Sequence, residues 1–291
     1  MSPTSSPTAP ARRRRPFAQL ATSSGYHVAM IVAALVWLIP TLWMVSLALT
    51  PNEVLTTNTT DLIPDRLTLD NFLGVFQVGL TMRWFLNSVV VTSVTTIATV
   101  LLCAMAGYAF ARIDFAGKRV VYASVLAGLM VPKEAMFIPL FTMFSELEQH
   151  NTYQALILPR IPAPLGVFLM TQFFSKVPAE VEEAARVDGA GPWRTFFSIM
   201  LPLARPSMVA LGIFTFVQTW NDYLWPLVSA TQREMFTITT GLASLQGNFA
   251  QATELGSLMA RGLVGSLPLL IVYLLFQKHL IRGISMTSGE K

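Results

Sequence analysis

Residues 176–202 read KVPAEVEEAARVDGAGPWRTFFSIMLP and lie between two long apolar runs. Pro178 favours the first turn of a helix, where its missing N–H costs little. The three glutamates that follow favour the same turn, because they face the positive end of the helix dipole. Asp188-Gly189 predicts the end of this helix, since glycine accepts a positive φ. The first half of the segment therefore predicts one short helix.

The second half of the segment predicts another short helix, from Pro192 to about Leu201, with Pro202 as its stop signal. Each helix has about ten residues, and helices shorter than roughly 12–15 residues are marginal in water by themselves. Their order must come from packing against another surface. Ala184 and Ala185 are small enough for a partner protein to approach the first helix closely. The alternative is a loop that packs only on the ends of its own membrane spans.

Outside this segment the chain has the composition of a membrane protein. Of its 291 residues, 53% are hydrophobic and 12% are charged, whereas about a quarter of a soluble domain is charged. The mean hydropathy is +0.54. Backbone polar groups in lipid must be satisfied within the segment, which favours helices of about 20 residues. We predict an all-α integral membrane protein with six transmembrane helices at Tyr26–Leu49, Asn87–Ala111, Val120–Phe144, Tyr153–Phe174, Pro206–Val228 and Leu258–Leu280.

Charge divides the chain and orients the predicted spans. Residues 1–25 are rich in Ser, Thr, Pro and Arg and predict a disordered leader. Residues 26–291 predict one membrane domain with a cytoplasmic loop at 175–205. With the amino terminus inside, most of the 20 Lys and Arg residues lie in inner segments, as the positive-inside rule requires. The exceptions are Arg66, Arg83, Lys133, Arg160, Arg233 and Arg261. Both termini are therefore predicted to be cytoplasmic, and the arginine cluster indicates topology and not nucleic-acid binding.

The polar segment also carries a sequence motif. Its pattern is Glu-Ala-Ala, three residues, Gly, nine residues and Ile-x-Leu-Pro, formed here by Glu183, Ala184, Ala185, Gly189, Ile199, Leu201 and Pro202. In this pattern, and in its position after four predicted spans and before two, the chain resembles the permeases of binding-protein-dependent importers. Looser similarities favour the second permease subunit of carbohydrate importers of the maltose and sn-glycerol-3-phosphate type. They are Leu86–Ser88, Trp220–Pro226 and Arg282-Gly283 near the carboxyl terminus.

This resemblance implies the type I fold of ATP-binding-cassette (ABC) importer permeases and a set of partners. The loop would form coupling helices that seat in a groove of a separate ATPase. The complex would contain a second permease, two ATPase copies and an extracytoplasmic solute-binding protein, in a bacterial cytoplasmic membrane. Its solute would be a sugar or a related polar molecule. The chain would be non-catalytic and would bind no cofactor, because the ATPase would use ATP and Mg²⁺. The sequence agrees, since its one Gly-Lys pair, Gly117-Lys118, lacks the flanking residues of a phosphate-binding loop.

The resemblance assigns ATPase coupling to the motif residues and to Asp188. Glu183 would make a polar contact with the ATPase, Ala184 and Ala185 would permit close packing, and Gly189 would set the turn. Compensation of the helix dipole alone is the alternative role for Glu183.

Charges within the predicted third span indicate a second site. Lys133 and Glu134 lie about 20 Å into the span at 1.5 Å per residue. A charge at such a depth is costly and usually faces a cavity or a partner. Pro132 and Pro139 predict a broken helix at this point. We predict either a contact on the translocation path or outer gate, or an ion pair with the other permease or a neighbouring loop.

Trp220, Asn221 and Asp222 in the predicted fifth span are further candidates for the translocation path or gate. Tryptophan can stack on a sugar ring, although tryptophans near a membrane interface are more often anchors. Lys133 and Arg160 leave open an anionic solute such as a glycerophosphodiester.

Cysteine and histidine predict no further chemistry. Cys103 is the single cysteine, so no internal disulfide can form. The histidines His27, His150 and His279 lack the spacing of metal ligands. A gradient-driven secondary transporter is the alternative class, but it predicts internal repeats, which the sequence does not show. A membrane enzyme would need clustered ionisable groups at a common depth, which the spans also lack.

Overall fold

The computed structural model describes residues 17–55, 63, 66–77, 79–246 and 254–287. All regular secondary structure in these residues is helical. The α-helices are α1 (Phe17–Ala48), α2 (Asn52–Leu55), α3 (Asp70–Gln77), α4 (Gly79–Arg112), α5 (Lys118–Ala127), α6 (Phe137–Glu146), α7 (Tyr153–Ile157), α8 (Pro164–Lys176), α9 (Ala179–Val187), α10 (Pro192–Thr195), α11 (Leu201–Leu203), α12 (Arg205–Trp220), α13 (Leu224–Ser229), α14 (Ile238–Gln246) and α15 (Leu255–Thr287).

Shorter turns join several of these helices. They are 3-10 turns at Gly128–Met130, Lys133–Met136, Leu158–Arg160 and Arg233–Met235, and a π-helical turn at Phe196–Met200. The π-helical turn makes α10 and α11 one continuous helical segment, which ends at Leu203, one residue after Pro202.

Among the described residues, three unbroken helices and three bent pairs are long and apolar enough to cross a membrane. The unbroken stretches are Gly25–Ala48, Gly79–Arg112 and Leu255–Gln277. The bent pairs are Lys118–Met130 with Lys133–Glu146 (98°), Tyr153–Arg160 with Pro164–Lys176 (48°), and Pro192–Leu203 with Arg205–Trp220 (73°). Counting each pair as one span gives six, the predicted number; in the third pair only Arg205–Trp220 coincides with the predicted fifth span, and Pro192–Leu203 belongs to the predicted cytoplasmic loop.

Two span boundaries differ from the sequence prediction. α4 begins at Gly79 and not at Asn87, because a helix can continue past the apolar run that marks the membrane. The fifth span ends at Trp220 and not at Val228, although the residues from Tyr223 to Val228 are apolar again. The Asn221 side chain donates to the Val217 carbonyl at 2.9 Å and so competes for a helical acceptor.

The two predicted proline breaks in the third span have different outcomes. The bend of 98° lies at Pro132, as predicted. Pro139 lies inside the first turn of α6 and causes no break. Proline is tolerated there because the N–H groups of a first turn have no helical partner.

The core forms where α4 packs against α8, with α12 on another side of α4. A Cβ at Gly107 would lie 2.5 Å from the Met170 Cβ, and one at Gly166 would lie 2.7 Å from the Cys103 Sγ. Small residues at these two points therefore let α4 and α8 approach closely, as at other helix contacts in membranes. α15 packs on α1, α12 and α3.

The predicted leader falls mostly outside the described part of the chain. Residues 1–16 are not described, and α1 begins at Phe17, within the predicted leader.

Candidate functional site

The motif segment forms the predicted first helix, α9, and ends it as the sequence predicts. Gly189 has a φ of +75°. Its N–H donates to the Arg186 carbonyl at 3.0 Å, and the Ala190 N–H donates to the Ala185 carbonyl at 2.9 Å. These two bonds form a Schellman motif, which satisfies carbonyls that the helix leaves without partners. A residue with a Cβ at position 189 would be strained.

One face of α9 packs on the chain's own membrane helices. Ala185 is buried, and Val181 packs on a cluster that contains Tyr108 of α4, Phe174 of α8 and Phe196. The Tyr108 ring centroid lies 5.5 Å from that of Phe174 and 5.0 Å from that of Phe196. The short helices of the loop thus acquire part of their order from their own chain.

A buried carboxylate ties this face of α9 to the last residue of α4. The Glu182 Oε1 lies 3.4 Å from the Arg112 Nε, and the side chains are only 9% and 16% exposed. The Glu182 Oε2 also lies 3.9 Å from the Arg186 Nη2. Arg112 donates through Nη2 to the Val177 carbonyl, which precedes α9. The Arg112–Glu182 pair fixes both the position and the start of α9 against α4.

The sequence analysis did not identify this pair. The available signals were the position of Arg112 as the last residue of a span and that of Glu182 beside the apolar positions Val181 and Ala185. Neither signal names a partner, because the two residues lie on helices far apart in the chain.

The opposite face of α9 is open. Glu183, Ala184, Asp188 and Gly189 are exposed, and Val187 is 88% exposed. Exposed apolar side chains in a polar segment indicate an interaction surface. The face that carries the Glu-Ala residues of the motif is therefore free to bind another protein.

Aromatic side chains of the next helix extend this open surface. Trp193 is 66% exposed, and its ring is 6.0 Å from that of Phe197 and inclined to it by 17°. The remaining motif residues, Ile199, Leu201 and Pro202, are half-buried. Five exposed residues thus form one surface of the loop, the open face: Glu183, Ala184, Val187, Trp193 and Phe197.

Lys133 and Glu134 lie at the bend of the third span. They form part of the 3-10 turn between α5 and α6 and are exposed. Among the described residues, neither side chain has an ion pair. The structure does not bring them into contact with the candidates of the fifth span.

Asp222 forms an ion pair with Arg160 just beyond the end of α12. The pair joins the Asp222 Oδ2 to the Arg160 Nη2, and both side chains are largely buried. Arg160 ends the 3-10 turn at the bend of the fourth span. One salt bridge thus links the bend of the fourth span to the carboxyl end of α12. The sequence singled out Arg160 as a basic residue outside the inner segments and Asp222 as a candidate within the fifth span, but did not pair them.

The other two candidates in the fifth span have different surroundings. Trp220 is buried, its indole N–H donates to the Gly265 carbonyl at 3.1 Å, and its ring stacks on Phe216. Asn221 is exposed. The Trp220 face and N–H are therefore used in packing between α12 and α15.

Comparisons with known proteins agree with this arrangement. Residues 100–286 match the family described as binding-protein-dependent transport system inner membrane component. The chain is 38% identical over 256 residues to an arabinooligosaccharides transport system permease protein of Halalkalibacterium halodurans, which covers 87% of this chain and 91% of that protein. It is 34% identical to a diacetylchitobiose uptake system permease protein of Streptomyces coelicolor, over 89% of this chain and 86% of that protein.

Two further similarities support the same assignment. A trehalose transport system permease protein of Mycobacterium tuberculosis is 34% identical over 87% of this chain and 91% of its own length. A crystal structure of a bacterial ABC transporter involved in alginate import contains a chain with the same fold, with a TM-score of 0.78 at 20% identity over 93% of this chain and 99% of that one. The chain therefore belongs to the family of inner membrane components of binding-protein-dependent transport systems.

Proposed function

We propose that this chain is a non-catalytic permease subunit of an ATP-driven importer for a sugar or a related polar solute. It acts in a cytoplasmic membrane with both termini inside. The observation that carries the proposal is the division of α9 into two faces. One face is fixed to α4 and α8, and the other leaves Glu183 and Ala184 of the motif open.

The open face is the docking surface for a separate ATPase subunit. Glu183 supplies a carboxylate for a basic partner group, Ala184 permits close approach, and Val187 and Trp193 supply apolar area. Gly189 sets the turn that presents this face. The chain works with a second permease, two ATPase copies and an extracytoplasmic binding protein, and ATP and Mg²⁺ are bound by the ATPase.

A sugar is the favoured solute. The relatives are named for arabinooligosaccharides, diacetylchitobiose and trehalose. Arg160 is ion-paired with Asp222, so its charge is already compensated within the chain. This removes one of the two cations that favoured an anionic solute.

An anionic solute such as a glycerophosphodiester is the second candidate, and one observation favours it. Arg261 of α15 is only 9% exposed, and its Nε has no hydrogen-bond partner. No carboxylate in the described part of the chain pairs with it. A buried cation of this kind fits an anionic group supplied from outside the chain.

Lys133, Glu134, Trp220, Asn221 and Asp222 are proposed to act on the translocation path or outer gate. Lys133 and Glu134 support this role because they are exposed at the sharpest bend. An interfacial ion pair with the second permease is the other role proposed for them. Neutral variants of these two residues raise the KM for uptake if they contact solute, and weaken permease pairing in detergent if they lie at the interface.

The test is the ATPase activity of the complex purified with its second permease, ATPase and binding protein in lipid nanodiscs. We expect solute-loaded binding protein to stimulate hydrolysis and Glu183→Lys to abolish that stimulation. Asp114→Lys is the matched control, because Asp114 is fully exposed between α4 and α5 and lies outside the open face. Arabinooligosaccharides, diacetylchitobiose, trehalose and a glycerophosphodiester are compared as solutes.

Each outcome has a definite consequence. Stimulation by the glycerophosphodiester alone replaces the sugar with an anionic solute. If no ATPase copurifies, or if uptake in vesicles follows an ion gradient without ATP, the chain is a secondary transporter and the proposal is wrong.

A further inference from the structure

The second membrane helix, α4, is the longest continuous helix that contacts both the α9 loop and the opposite end of the bundle. It has 34 residues, which is about 50 Å at 1.5 Å per residue. It contains no proline, whereas α1 and α15 each contain one. The third and fourth spans are bent by 98° and 48°, and the fifth, α12, has only 16 residues. A straight helix transmits a displacement along its axis better than a bent one does.

The last two turns of α4 hold both short helices of the loop. Arg112 pairs with Glu182 of α9 and donates to the Val177 carbonyl. Tyr108, one turn earlier, packs its ring on Phe196, which follows α10. A displacement of the loop therefore acts on α4 through an ion pair and an aromatic contact.

The first turns of α4 hold the segment that precedes α14, residues 233–238. The Trp84 Nε1–H donates to the Arg233 carbonyl at 2.6 Å. The Asn87 Nδ2 donates to the Glu234 and Phe236 carbonyls at 2.8 and 2.9 Å. The Ser88 hydroxyl accepts from the Ile238 N–H at 2.8 Å. Four hydrogen bonds from one helix thus fix this segment.

The carboxyl-terminal third of α4, which contains Cys103 and Gly107, is held against α8 by close contacts with Gly166 and Met170. At these contacts the two helices are so close that neither can slide along the other without a clash between side chains. They keep α4 in one position along α8, so that its two ends move together.

We propose that α4 mechanically connects the ATPase-docking loop to the 233–238 segment, with Arg112 and Asn87 as the positioning residues at its two ends. The inference rests on the proposed function, since it assumes that an ATPase moves α9. ATP-driven displacement of α9 then shifts the 233–238 segment at the face that receives the binding protein. By the same linkage, contact of the binding protein with that face acts on the ATPase.

The proposal is tested with a substitution that kinks the middle of α4 and leaves the residues at both ends unchanged. Ile97 is exposed, so Ile97→Pro removes one backbone donor and kinks the helix while the end contacts keep their residues. Ile97→Ala is the matched control, because it shortens the same side chain and keeps the helix straight. Both variants are measured in the complete complex in nanodiscs.

We expect the Ile97→Pro chain to copurify with the ATPase and the complex to keep its basal ATP hydrolysis. Stimulation of hydrolysis by loaded binding protein should fall ~10-fold, which is within the usual range of coupling between two sites. Ile97→Ala should keep both activities. Full stimulation in Ile97→Pro would overturn the inference. Loss of ATPase association from the unmodified complex would instead refute the proposed function.

If the Ile97→Pro complex does not assemble, a distance measurement in the otherwise unchanged complex tests whether α4 is a rigid connection. Spin labels are placed at Ala179, at the start of α9, and at Leu86, near the opposite end of α4; both positions are exposed, and the native Cys103 is buried. A rigid connection predicts that the distance changes by less than ~2 Å between the nucleotide-free and nucleotide-trapped complex. A larger change would overturn the inference.

Discussion

The two ends of α4 are held by different kinds of contact. At the α9 end, Arg112 pairs with the Glu182 side chain and Tyr108 packs on Phe196, and one bond from Arg112 reaches a backbone group, the Val177 carbonyl. At the opposite end, Trp84 and the residues that follow it bond to backbone groups of the 233–238 segment. Side-chain contacts depend on the identity of both partners, whereas a backbone group is available whatever the residue. The α9 end is therefore the more sensitive to sequence on both sides of the contact.

The largest expected effect comes from the contact of α4 with α8 at Gly107, five residues before the end of α4. A Cβ at Gly107 would lie 2.8 Å from backbone atoms of Met170 and Thr171, which cannot rotate away. We expect Gly107→Ala to destabilise the chain by about 3 kcal/mol, the upper range for overpacking. Thermal unfolding of the detergent-purified permease pair measures this loss.

Gly212→Ala is the control for that substitution. A Cβ at Gly212 would lie 3.6 Å from Val100 Cγ2, an ordinary contact. We expect an unchanged or slightly raised Tm, since alanine favours helix over glycine. Equal losses at Gly107 and Gly212 would show that the close contact of α4 with α8 is not what stabilises the bundle.

The next largest effect is expected at the end of α4 that bonds to backbone. Asn87→Leu removes the donors to two carbonyls and the acceptor for the Tyr153 hydroxyl, which lies 2.7 Å from the Asn87 Oδ1. Loss of about 2 kcal/mol is expected, because each group left unpaired carries its own cost. Hydrogen exchange should rise in the 233–238 segment and not in α9.

Val90→Ala is the control for Asn87→Leu, because Val90 lies one turn further along α4 and is exposed. Faster exchange in α9 than in the 233–238 segment would contradict the assignment of Asn87 to that segment.

A smaller effect on stability is expected at the α9 end. Glu182→Gln removes the charge that pairs with Arg112 but keeps side-chain hydrogen-bonding groups at the same position. We expect a loss of about 1 kcal/mol, together with faster hydrogen exchange in α9. Glu180→Gln is the control, since Glu180 lies on the same helix and is exposed. An equal loss from the two variants would remove the Arg112–Glu182 pair as the contact that orders α9.

The sequence predicted the features that depend on neighbouring residues. Gly189 ends α9 as expected, because a Schellman motif uses residues within one turn. The bend at Pro132 follows from proline chemistry for the same reason. The end of the fifth span at Trp220 was not predicted, because the apolar composition continues beyond Asn221 and hydropathy does not register a local break.

The charged pairs were not predicted because each joins separate spans. Arg160 was recognised as a cation that could favour an anionic solute and Asp222 as a candidate for the path or gate, but only the packing of the fourth and fifth spans brings them together. The contacts of Asn87 are even harder to predict from the sequence. Their partners are backbone carbonyls, and any residue at 234 or 236 would supply one. The open face was readable in the motif, whereas the helix that positions it was not.

The smallest effect is expected from an exposed ion pair close to Arg112. Lys118 Nζ lies 3.4 Å from the Asp114 Oδ1, at the same separation as the Arg112–Glu182 pair, but the Asp114 side chain is fully exposed. Water and salt screen such a pair, so Asp114→Asn should leave the Tm nearly unchanged. Thermal unfolding of Asp114→Asn beside Glu182→Gln, at low and high salt, compares two pairs of equal length. If Asp114→Asn lowers the Tm as much as Glu182→Gln does, then burial is not the reason why the Arg112–Glu182 pair stabilises the contact of α9 with α4.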